Sequence, residues 1–176
     1  MTWHRTTLAV LATALVAISS FATMPAASAQ AVDVRAGLTG VSTDNGPIVF
    51  TRSGGPGTLD VITCTGTSDY PHNSSGTPSA VTGKSRSSCT APVAQVRAQA
   101  ELWRYLDGYG YTLTGIGSLA YDLTTAGPLT STAYDICQGR LAYWVTVGRH
   151  TFYAPPGYSP PSITLTTQTP PVGVNC

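Results

Sequence analysis

The sequence predicts an all-β fold, an antiparallel β-sandwich or compact barrel of about eight short strands held by two disulfides. Three observations carry that expectation. Short β-branched or alternating runs recur along the chain, turn residues separate them at close spacing, and four cysteines follow what reads as an export signal.

In chain order, Met1 to Thr7 carries Arg5 and no acid, and Leu8 to Ile18 is apolar but for Thr13. That stretch is shorter than the roughly 20 apolar residues a membrane-spanning helix needs, and Ser19, Ser20 and Pro25 follow it instead of a basic cluster. Ala27-Ser28-Ala29 supplies the small residues a signal peptidase admits. Cleavage is expected before Gln30, with cleavage after Ala31 as the near alternative. Residues 1–29 thus read as a signal peptide, 30–47 as an N-terminal arm that is either a strand or flexible, and 48–176 as one disulfide-stapled β domain. The expected location is extracellular, with no membrane insertion after cleavage.

Ile48 to Arg52 and Leu59 to Thr65 read as a hairpin around Ser53-Gly54-Gly55-Pro56-Gly57. Ser68 to Pro78 is turn chemistry throughout and reads as a surface loop, with a strand over Ser79 to Thr90. From Ala94 to Arg104 apolar and polar residues alternate with period two, which favours a strand; the alanines keep a helix as the alternative. Further strands are expected at Leu119–Thr124, Thr132–Cys137, Leu141–Val147, His150–Tyr153 and Ser162–Thr167, separated by Gly127-Pro128, Gln138-Gly139 and Pro155-Pro156-Gly157. Leu141 to Val147 carries apolar residues on both faces, so both faces should be partly buried. The proline segment from Pro155 to Pro161 reads as a stiff connection between strands.

Cys64, Cys89, Cys137 and Cys176 lack the C-x-x-C spacing of zinc or redox sites, so an exported chain would pair them as two disulfides. Three pairings exist; the sequence-local one, Cys64 with Cys89 and Cys137 with Cys176, is the simplest.

Without residues 1–29 the chain has the usual length of one domain. Loss of Arg5 leaves eight basic residues against eight acidic ones, so the mature net charge is zero. Nucleic acid is therefore not an expected partner, because it requires a concentrated positive face. Charged residues are only 10% of the chain, and Ser, Thr, Gly and Tyr supply an uncharged polar surface suited to a protein or glycan.

Catalytic signals are weak. His72 has Asp69 and Ser74 or Ser75 nearby, but no G-x-S-x-G elbow is present, and Asp69 to His72 also reads as plain turn structure. A small secreted hydrolase using His72 or His150 as base is the alternative to a binding protein, and a structural role through unpaired edge strands is a third. No catalytic residue, cofactor or metal is assigned, since the acids are scattered and the thiols are used in disulfides. The binding candidates are aromatic. Tyr109 and Tyr158 stand in turn-rich segments, Trp103 ends the alternating run and His72 lies in the polar loop, with Tyr111, Trp144 and Tyr153 as further rings. Trp103 and Trp144 also fit a sandwich core.

Cys64, the Pro71-His72 loop, Cys89, Trp103-Arg104, Cys137, Tyr143-Trp144, the segment Pro155 to Pro160 and Cys176 together resemble small secreted actinobacterial four-cysteine proteins of unassigned function. The resemblance implies secretion, paired cysteines and a β-rich domain. It brings no catalytic residue with it. The expected function is a secreted binding or adaptor module that recognises a protein or glycan through loop aromatics.

Overall fold

A computed structural model describes residues 46–54, 57–137 and 139–175, all within the compact unit Val32–Cys176. The signal peptide, its cleavage site, the arm up to residue 45 and Cys176 lie outside the described residues.

The domain is all-β. Its strands are β1 (Ile48–Ser53), β2 (Leu59–Ser68), β3 (His72–Asn73), β4 (Ala80–Cys89), β5 (Val93–Leu106), β6 (Gly110–Ile116), β7 (Ala120–Thr125), β8 (Leu129–Ile136), β9 (Leu141–Tyr153), β10 (Ser162–Gln168) and β11 (Val172–Asn175). They form two antiparallel sheets, which excludes the closed barrel. In the five-stranded sheet β1 pairs with β2, β2 and β3 share one edge of β4, and β8 takes the other edge. In the six-stranded sheet β5 and β9 are central; β6 and β7 share the outer edge of β5, and β10 and β11 share that of β9.

The alternation over Ala94 to Arg104 becomes the longest strand. Val96, Ala98, Ala100 and Leu102 are fully buried between the sheets, and the intervening polar residues point outward. The helix alternative is thereby discarded. The runs Leu141–Val147 and His150–Tyr153 are one strand, because the intervening Gly148 does not turn. It is small to make room: a Cβ there would lie 2.7 Å from His150 Nε2 and from Ser68 Oγ. Both faces of β9 are buried as its sequence implied, with Trp144, Thr146, His150 and Phe152 inside and Val145 and Val147 on the outer face.

Three strands escape sequence reading. β3 lies inside the expected loop, β6 covers residues to which the sequence assigned no strand, and β11 follows Pro170-Pro171. β3 continues β2 past one extra residue, since Ser68 to His72 spans four steps while their partners Ser85 to Thr82 span three. This bulge bends the strand and lets β3 hold the far end of β4. The proline segment joins β9 to β10, as expected.

Two apolar clusters fill the sandwich. One gathers Phe50, Ile62, Cys64, Val96, Phe152 and Leu165; the other gathers Val81, Leu102, Ala133, Cys137, Trp144 and Val174. The first contains the Cys64–Cys89 disulfide, which bridges directly paired positions of β2 and β4. Only that bridge is formed wholly by described residues. Cys137 also has a partner, but the pairing expected for it falls on Cys176.

Candidate functional site

The structure scatters the four residues that sequence reasoning chose for binding. Tyr109 is 84% exposed in the turn between β5 and β6, where its N–H bonds to the Leu106 carbonyl. Trp103 is half-buried on the outer face of the six-stranded sheet, donating from Nε1 to Glu101 Oε2 at 3.1 Å. His72 is exposed on β3 in the other sheet, and its Nδ1 lies 2.8 Å from the carbonyl of Tyr70.

Tyr158 differs most from expectation. It is half-buried against the first core cluster, its hydroxyl donates to Asp60, and the Arg52 guanidinium sits 4.7 Å above its ring. The shared hydrogen bond, then Arg52, holds the Asp60 carboxyl below its ordinary range, and the same hydrogen bond raises the Tyr158 phenol above its own. A ring engaged on both face and hydroxyl has little left to offer a ligand.

Where sequence reading saw a catalytic alternative, the structure shows two separate histidines. His150 is fully buried between the two apolar clusters. Its Nδ1 is 2.9 Å from Ser87 Oγ and 3.4 Å from Ser85 Oγ, and its Nε2 is 2.8 Å from Thr167 Oγ1. Thr167 in turn bonds Ser68. Each ring nitrogen therefore has a hydroxyl partner that can donate or accept, which satisfies a neutral imidazole in either tautomer. None of these partners is a carboxylate. Burial alone pushes the pKa down to about 4. A histidine sealed from solvent cannot meet a substrate, so this cluster is a polar layer of the core.

The ring lies flat against β2, where a Cβ on Gly66 would come within 2.4 Å of His150 Cγ. The hydroxyl cage leaves the imidazole no free direction in which to move. Gly66→Ala is expected to destabilise the domain by about 2 kcal/mol, measurable as a lowered midpoint in urea. An unchanged midpoint would show that the sheets can separate locally.

A groove of about 460 Å³ opens at the end of the sandwich nearest the β5–β6 turn, lined by residues 104–107 and 140–144. That volume falls within the range of small-molecule sites. Two of its lining side chains, Arg104 and Trp144, are tied to Asp135 on β8. One oxygen of this carboxylate accepts from Trp144 Nε1 at 3.1 Å and pairs with Arg104 at 3.3 Å, so strands from both sheets hold the groove in shape.

The rim is aromatic. Tyr111 pairs with Tyr105 across β5 and β6, with ring centroids 5.5 Å apart and planes at 67°. The paired neighbours Arg104 and Trp144 place Tyr105 and Tyr143 next to each other on β5 and β9. Burial first, and then the nearby Tyr105 and Tyr143 phenols, raise the pKa of the Tyr111 hydroxyl. Tyr105 and Tyr143 remain 40% and 51% exposed. Arg140 and Asp107 complete the walls, both exposed.

Sequence reasoning found Tyr109, Tyr111 and Trp144 of this end but missed Tyr105 and Tyr143 as a pair. The available signal was the alternation on each strand, which puts both on outward positions. Their adjacency depends on the register between β5 and β9, which the sequence does not disclose.

Compared with known protein families, curated protein sequences and solved structures, the chain matches none. Among the described residues, no cluster of three or more His, Cys, Asp or Glu is placed to hold a metal ion.

Proposed function

We propose that the protein is a secreted binding or adaptor module that engages a protein or glycan through the aromatics around the β5–β6 turn. The observation that carries this reading is the row of Tyr105, Tyr111 and Tyr143 beside a preformed groove, with Tyr109 standing fully out in the adjoining turn. Aromatic rings supply large contact area at low entropic cost, and a rigid sheet underneath positions them before the partner arrives.

Secretion is part of the proposal. It rests on the charged start, apolar stretch and Ala27-Ser28-Ala29 ending of the first 29 residues. The Cys64–Cys89 bridge supports it, since such bonds persist mainly in oxidising compartments. A second bridge, Cys137 with Cys176, belongs to the same proposal.

The test is to tether the mature chain and pass total secreted protein and a glycan array over it. Capture of a partner is expected to fail for Tyr143→Ala and to weaken for Tyr109→Ala, while His72→Ala and Tyr158→Ala behave as wild type. Loss of capture in Tyr158→Ala alone would move the site to the opposite end of the sandwich. No capture by wild type would remove the reading.

A further inference from the structure

We infer that the groove takes a neutral oligosaccharide, an inference that rests on the reading of this end of the sandwich as the binding site. The first argument is charge. Arg104 and Arg140 bring two positive charges to the groove; Asp107 on its wall and Asp135, the ion-pair partner of Arg104, bring two negative ones. Arg104 is already paired with Asp135. A polyanion or polycation would therefore desolvate its charges with no net attraction in return.

The second argument is which contacts the backbone leaves available. An extended peptide commonly gains affinity by adding a strand to a free sheet edge. At the groove the β5–β9 ladder has ended at Arg104 and Trp144, so Tyr105 and Leu106 pair only with β6 and Leu141 to Tyr143 only with β11. Those facing edges are two and three residues long, short for an added strand, so side chains supply most of the contact.

The third argument is the nature of those side chains. Tyr111, Tyr105 and Tyr143 stand on three adjacent strands, whose spacing is about 4.8 Å. Tyr105 and Tyr143 put half-exposed rings on the groove wall, with Tyr111 edge-on to Tyr105 beside them, and a sugar ring has an apolar C–H face to place on a phenol. The carboxylate of Asp107 and the guanidinium of Arg140 are planar two-point hydrogen-bonding groups, matched to neighbouring hydroxyls on a pyranose. Each phenol adds one donor and one acceptor.

The mature, disulfide-intact protein should be titrated by calorimetry with cellohexaose, xylohexaose, mannohexaose and chitohexaose as neutral probes, and with polygalacturonate as the acidic one. Binding to at least one neutral hexaose is expected, at least tenfold weaker for Tyr143→Ala and for Tyr105→Ala, and unchanged for Tyr158→Ala. Tyr143→Phe, which keeps the ring, should retain most of the affinity and guards against a folding defect in the alanine variants. Binding to polygalacturonate alone would overturn the neutral assignment. Capture of a secreted protein through Tyr143 with no hexaose bound would overturn the oligosaccharide and keep the binding module. Failure of both would overturn both.

Discussion

Between pH 7.5 and pH 4.5 the domain is expected to lose roughly 2.5 kcal/mol of folding stability through His150 alone. In the folded state the ring stays neutral down to about pH 4, because burial opposes its charge. In the unfolded chain the same ring takes up a proton near its ordinary value of 6.5. The unfolded state therefore binds more protons throughout the window between these values, and stability falls as the pH falls. Above pH 6.5 the contribution is complete. Below pH 4 both states are protonated and no further loss comes from this group. The groups packed on the ring from β2, β4 and β10 are the hydroxyls of Ser68, Ser85, Ser87 and Thr167, none of which titrates in this range. His150→Gln keeps a polar group that does not ionise, so the wild-type loss should exceed the loss in the variant by the stated amount. Denaturant unfolding of both proteins at the two pH values measures it. Parallel pH profiles would show that the ring is hydrated or able to swing out of the core.

Burial of this kind was not legible in the sequence. Ser85 and Ser87 occupy alternate positions of a strand rich in Ser, Lys and Arg, which reads as solvated. They face inward because β4 is a central strand whose other face is the exposed one, and their cost of burial is offset by hydrogen bonds to a residue more than 60 positions away. The same distance problem hid the groove, whose two walls come from turns separated by the whole of β6, β7 and β8. Local pattern sufficed where a strand makes its own case. The alternation of β5 and the hairpin of β1 with β2 are set by period-two burial and by Gly-rich turn residues.

Short strands failed for the opposite reason. The two residues of β3 and the four of β11 have no pattern of their own and are strands only because β4 and β9 offer an edge to pair with. The gap expected between Val147 and His150 is absent, and Gly148 within it marks a close approach between sheets. Tyr158 misled because a proline-rich segment suggests a free loop. The segment is in fact stitched down, with Thr51 and Ser159 exchanging both backbone hydrogen bonds beside the Asp60 contact.

Removing the Cys64–Cys89 bridge should cost the most, about 3.5 kcal/mol for the double variant Cys64→Ala, Cys89→Ala, because the bond closes a loop of 25 residues in the unfolded chain. The folded strands are also held together beside the bond. Thr90 N–H bonds the Thr63 carbonyl and Thr63 N–H bonds Thr90 Oγ1 at 3.0 Å, so hydrogen bonds hold the two strands together immediately beside the bridge. The effect should therefore fall mainly on the unfolded state, which expands when the loop opens. Expansion exposes more surface on unfolding, so the denaturant midpoint should drop while the slope of the transition rises. A lowered midpoint with an unchanged or smaller slope would place the loss in the folded state instead, in the cavity left where Cys64 packs beside Phe50 and Ile62. The slope thus separates a constraint on the unfolded chain from a packing role in the core.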